Sequence, residues 1–111
     1  MRDKSSLAGH LDPLGLGPWT YQRVVTSTND LALSWAGRDA PDWSLVLADS
    51  QSAGRGRFDR IWVTKPKSAL AMSLVLRPLP SELPHLHRFT ALAALGLIYA
   101  LREAGCEGRI K

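Results

Sequence analysis

The sequence predicts an α+β fold, a mixed β-sheet flanked by helices. Three observations carry that prediction. A period-two stretch at 19–25 and two short continuous apolar runs at 44–48 and 70–76 have the character of strands. Two further segments, one after Ser27 and one from Leu86, place apolar residues at helical spacing between start and stop signals. The 111 residues, 45% hydrophobic and 22% charged, suffice for one domain with a modest core.

The elements follow in chain order. Residues 1–18 hold three glycines and two prolines with no sustained period and are expected to be a poorly ordered lead-in. In 19–25, Trp19, Tyr21, Arg23 and Val25 alternate with Thr20, Gln22 and Val24, which suits a half-exposed strand. Ser27, with Asp30 three residues on, makes a capping-box-like start to a helix through Leu31, Leu33 and Trp35. Asp30 also suits the positive end of the helix dipole, and Gly37 supplies a stop. Residues 44–48 and 70–76 read as buried strands, and the polar, glycine-bearing 50–57 between them as a loop. Pro78, Pro80 and Pro84 interrupt the chain before a second helix on Leu86, Phe89, Ala93, Leu97, Ala100, Leu101 and Ala104, which ends at Gly105. Residues 108–111 look like the entry to another strand.

Charge and composition narrow the function. Arg55, Arg57, Arg60, Lys65 and Lys67 face one acid, Asp59, so 55–67 carries the whole net charge of +4 while the rest of the chain is balanced. That pattern points to a local anion site rather than to a broad nucleic-acid-coating face. Cys106 is the sole cysteine and three histidines are scattered, which excludes an internal disulfide and a zinc cluster, and no metal-binding residue is expected. Neither a signal peptide nor a bilayer-length apolar run is present, so a cytoplasmic location without membrane contact is expected.

The most informative stretch is Gly54-Arg55-Gly56-Arg57-Phe58-Asp59-Arg60-Ile61-Trp62. Its glycines allow positive φ and close approach of a ligand to the backbone. Its arginines offer planar forks to phosphate or carboxylate, and Trp62 offers a flat face. It lacks the ending of a phosphate-binding P-loop. Read by itself, it fits a nucleotide-phosphate clamp, a nucleic-acid contact or a solvated loop. The tryptophans Trp19, Trp35 and Trp43 are assigned to packing, and Ser73 reads as a packed small residue.

Taken together, Ser27-Thr28-Asn29, Gln51, Ala53-Gly54-Arg55-Gly56-Arg57, Arg60, Trp62 and Ser73-Leu74 resemble the biotin-protein ligases of the biotin and lipoate ligase superfamily. Arg109-Ile110-Lys111 is similar to the run into that family's Lys-Trp-Pro-Asn-Asp motif. The resemblance covers 19–111 and implies the N-terminal part of a class II synthetase-like catalytic domain, truncated at Lys111 and inactive by itself.

The resemblance implies a two-step reaction. The biotin carboxylate attacks the α-phosphate of ATP, with Mg2+ as activator, to give biotinyl-5′-AMP; a lysine of a biotin carboxyl carrier protein, of acetyl-CoA carboxylase or a related carboxylase, then takes the acyl group. ATP and biotin enter as substrates, with no tightly bound cofactor. By resemblance Arg55, Arg57 and Lys111 are catalytic cations. Ser27, Thr28, Asn29, Gln51, Gly54, Arg55, Arg57 and Lys111 belong to the biotin site. Gly54, Arg55, Gly56, Arg57, Arg60, Trp62 and Lys111 belong to the ATP and adenylate site. At Asp59 the family usually has a glycine, and a partner for Asp59 is expected in Arg57 or Arg60. No DNA-binding module accompanies residues 19–111, so no DNA partner is expected. The competing readings are a lipoate or octanoate ligase or transferase of the same fold, and a small nucleic-acid-binding module using the Gly-Arg loop.

Overall fold

The computed structural model describes residues 3–65 and 67–109. The chain forms two compact units, residues 1–77 and 78–111.

The first unit holds the sheet. Its strands are β1 (Trp19–Val25), β2 (Leu45–Gln51) and β5 (Ala71–Leu74), with β2 in the middle. β1 and β2 run parallel, with Trp19 opposite Leu45 and Val25 opposite Gln51, and β5 runs antiparallel to β2. Helix α2 (Thr28–Ala36) makes the crossover between the parallel strands and lies against β2 and β5. A mixed sheet with helices, as predicted, is the result.

α2 starts where the sequence says it starts. The Ser27 side chain is its N-cap and accepts from the Asp30 backbone N–H at 3.3 Å. Gly37 caps the other end through its N–H on the Leu33 carbonyl, but in right-handed conformation; the left-handed residue that turns the chain is Asp39, at φ 64°. Ala32, Val46 and Val75 form the buried centre, with Leu31, Trp35 and Ala36 packed against it. Ser44, fully buried, donates its hydroxyl to the Pro41 carbonyl at 2.7 Å.

Several expectations change. Residues 4–11 are not irregular: they form helix α1 (Lys4–Leu11), whose N-cap Asp3 accepts from the Ser6 N–H, though none of its residues is buried. Trp35 packs as assigned, but Trp43 is 51% exposed and adopts a left-handed φ of 66°. Trp43 serves through its backbone, where its N–H donates to Val75 O and its carbonyl accepts from Gly17 N. β2 continues three residues past the apolar run, because pairing with β1 carries Asp49, Ser50 and Gln51 along. The loop at 50–57 is partly a hairpin, β3 (Gly54–Arg55) with β4 (Ile61–Trp62).

The second unit is helix α3 (His87–Glu103) behind a 3-10 turn (Leu83–His85). Gly105 follows it at φ +80°, a conformation glycine adopts without strain. None of its described residues is buried. Gly108 and Arg109 are in no regular element; Ile110 and Lys111 lie outside the described residues.

Candidate functional site

Two parallel strands ending level define the place. Val25 and Gln51 are the last residues of β1 and β2 and lie opposite each other, and α2 begins three residues after Val25. The carboxyl ends of parallel strands beside a helix N-terminus are a general ligand position in α/β structure. The chain after β2 folds back here: Ser52 N donates to Val25 O and Ala53 N to Thr26 O, both at 2.8 Å.

Side chains complete the arrangement. Thr28, 3% exposed, presents two donors to one acceptor, its N–H at 2.8 Å and its hydroxyl at 3.1 Å from Gln51 Oε1. Ser73 on β5 donates its hydroxyl to Thr28 Oγ1 at 3.0 Å. A continuous hydrogen-bond chain thus joins β5, α2 and β2, and with Oε1 used, the amide nitrogen is the donor left to Gln51. Ser73 is thus more than a packed small residue, since its hydroxyl bonds to Thr28. Nothing local in the sequence signals this, since the two residues are 45 positions apart.

Gly54 is buried beneath this group. A Cβ there would stand 2.8 Å from both Gln51 Nε2 and the Trp62 carbonyl oxygen. Gly56, by contrast, has its nearest neighbour for a Cβ at 3.6 Å, an ordinary contact. Neither glycine uses positive φ, contrary to expectation. The left-handed residues of the hairpin are Phe58 and Asp59, at φ 58° and 57°. Asp59 therefore occupies a conformation that glycine prefers. It pairs with neither Arg57 nor Arg60; the ion pair formed in the hairpin joins Arg55 to Asp30 of α2. Asp59→Gly is expected to raise stability by about 0.5 kcal/mol in chemical denaturation, the relief of left-handed strain less the chain entropy that glycine adds.

These elements enclose a cleft of about 350 Å³, within the range that holds a small organic ligand. Of the residues assigned to the site, Ser27, Thr28, Asn29, Gln51, Arg55, Gly56 and Trp62 line it. Trp62 is 61% exposed, which favours a ligand-facing role over a core one. Gly54 does not line the cleft, but its lack of a side chain lets Gln51 Nε2 and the Trp62 backbone both lie close against it. Arg57 and Arg60 are exposed and stand outside the cleft. Lys111 lies outside the described residues.

Sequence reading missed one whole wall: Thr64, Ala69, Leu70, Ala71 and Met72. Leu70 and Met72 look like strand residues and nothing more, yet they give the cleft an apolar side facing the polar one of Arg55 and Gln51. A ligand with an apolar body and an anionic head fits such a lining.

Comparison with known proteins shows the family. The family model described as the biotin/lipoate A/B protein ligase family matches residues 21–109. The bifunctional ligase/repressor BirA of Bacillus spizizenii is 40% identical over 92 residues, covering 82% of this chain and 28% of that protein. The bifunctional ligase/repressor BirA of Bacillus subtilis matches with the same figures. The chain therefore spans 28% of the length of these curated relatives.

Proposed function

The chain belongs to the biotin/lipoate A/B protein ligase family, and from that premise we propose that residues 19–111 supply the biotin- and adenylate-binding part of an ATP-dependent biotin-protein ligase. The observation that carries the proposal is the cleft in which Ser27, Thr28, Asn29, Gln51, Arg55, Gly56 and Trp62, drawn from two distant segments, come together.

In this reading a biotin carboxylate oxygen attacks the α-phosphorus of ATP and pyrophosphate leaves with the electron pair of the broken P–O bond. The amine of an acceptor lysine then attacks the acyl carbon of the mixed anhydride, AMP leaves, and the amine loses a proton. The acceptor is a lysine of a biotin carboxyl carrier protein. The first step brings two anions together, so a fixed cation is the main device needed. Arg55 fills that role at the cleft wall, and Lys111 shares it by resemblance. The amide nitrogen of Gln51, its oxygen already engaged, donates to the polar part of biotin. Leu70 and Met72 pack the apolar part, and Trp62 offers its face to the adenine. Arg57 and Arg60 reach the adenylate when the turn at 57–59 closes over it, and closure keeps water from the anhydride.

Magnesium enters on the nucleotide. No cluster of three or more His, Cys, Asp or Glu that could hold it occurs among the described residues. When bound, it offsets phosphate charge.

The test is calorimetric binding of biotin to the full chain in Mg-ATP, with lipoate as competitor. Biotin binding that lipoate does not displace supports the reading. Preferential binding of lipoate favours the other branch of the family, and binding of neither overturns both. Arg55→Ala is expected to weaken biotin binding about 10- to 100-fold, the loss of charge-assisted hydrogen bonds to a carboxylate.

A further inference from the structure

Asp30 enters the fold as a helix residue. It sits in the first turn of α2, its N–H is capped by Ser27, and its carboxylate suits the helix dipole there. That account leaves its side-chain contact unexplained. Asp30 Oδ1 accepts from Arg55 Nη2, 25 residues away.

The two partners are placed unequally. Arg55 lines the cleft, whereas Asp30 does not. Asp30 therefore meets the arginine without itself forming part of the cleft wall. One carboxylate oxygen meets one guanidinium nitrogen, which leaves most of the guanidinium N–H donors available to a second anion. The anchor is also on a rigid element, a capped helix, while Arg55 is on a two-residue strand with its side chain 60% exposed. The same helix turn holds the other end of this segment, since Thr28 grips Gln51.

We propose that Asp30 is a positioning residue, which fixes the Arg55 guanidinium at the cleft wall so that its free edge receives the carboxylate of the acyl substrate. This rests on the role given above to Arg55. A long exposed side chain loses rotamer freedom when it grips a ligand, and fixing it beforehand removes part of that cost. The negative charge of Asp30 acts in the opposite direction, because it subtracts from the pull of Arg55 on an anion. At 43% exposure that charge is screened by water, so orientation outweighs it.

A double-mutant cycle on the full chain tests this, with biotin in Mg-ATP as the probe and thermal unfolding measured for every variant. Asp30→Asn is expected to weaken biotin binding about three- to five-fold, the scale of an exposed ion pair. Asp30→Glu should recover part of the loss. In an Arg55→Ala background, Asp30→Asn should change nothing further. A helix-capping effect would instead lower the unfolding temperature and persist in that background. Equal weakening in both backgrounds overturns the inference, as does unchanged or tighter binding by Asp30→Asn. If the wild-type chain binds biotin and Arg55→Ala binds it equally well, the role of Arg55 itself falls, and the inference with it. If the wild-type chain binds neither biotin nor lipoate, both readings fall together.

Discussion

Gly54→Ala is expected to reduce biotin binding about tenfold or more and to cost about 1–3 kcal/mol of stability, while Gly56→Ala, two residues on, leaves stability nearly unchanged. The difference lies in what each new methyl group meets. At Gly54 the methyl would press on Gln51 Nε2 and on the Trp62 carbonyl oxygen, both at 2.8 Å, and on Trp62 Cβ at 3.3 Å. The carbonyl belongs to the residue paired with Gly54 across the hairpin, so it moves only if the hairpin opens. Gln51 moves only by straining its two hydrogen bonds from Thr28. Overpacking of this kind typically costs about 1–3 kcal/mol, and here both ways of relieving it displace residues that line the cleft. Gly56 has extended backbone at φ −99°, and its nearest contact would be 3.6 Å, so alanine fits. Calorimetry and urea denaturation on the two variants check the contrast. Equal behaviour of the two alanines would show that the contacts beneath Gln51 do not matter.

Arg77→Met is expected to lower stability by about 2 kcal/mol without touching the cleft. The Arg77 guanidinium donates from Nε and Nη2 to the Ala40 carbonyl, at 2.9 and 2.7 Å, and from Nη2 to the Ala36 carbonyl at 2.8 Å. Ala36 is the last residue of α2, whose final carbonyls lack partners inside the helix. A cation there also suits the negative end of the dipole. Methionine keeps most of the stem and removes the donors. Charged hydrogen bonds are each worth about 1.5–3 kcal/mol when buried; the exposure of Arg77 brings the total down to the expected figure. Arg77→Lys should recover little, since one ammonium does not reproduce the planar fork. A shift in urea midpoint with an unchanged slope is the predicted signature.

Local signals proved legible and long-range ones did not. The bounds of β1 and the cap of α2 depend on residues within four positions of each other, and the structure has them as read. Two of the candidate-site segments, Ser27-Thr28-Asn29 and Gln51 with Arg55, follow or close the parallel strands β1 and β2. By contrast, no local signal marks Arg77, because its acceptors lie 37 and 41 positions upstream. The end of β2 was misjudged because its last polar residues gain order from β1 and not from their own character. The hairpin was missed because two-residue strands have no period to read. Its glycines were credited with positive φ, which belongs instead to Phe58 and Asp59. Composition located the cationic cluster but could not say which member lines the cleft. That depended on Asp30, seen until then only as a good helix starter.

The backbone at the end of the parallel strands bears on how such a site could be altered. The carbonyls of Val25 and Thr26 accept from Ser52 and Ala53, so the chain's own return answers them. A ligand entering the cleft has no need to satisfy those main-chain groups or to strip water from them. Recognition is left to side chains projecting from a frame that is already complete. Under the function proposed above, exchanging cleft residues such as Leu70 and Met72 is expected to change which acyl group fits, with no rebuilding of the scaffold that carries them.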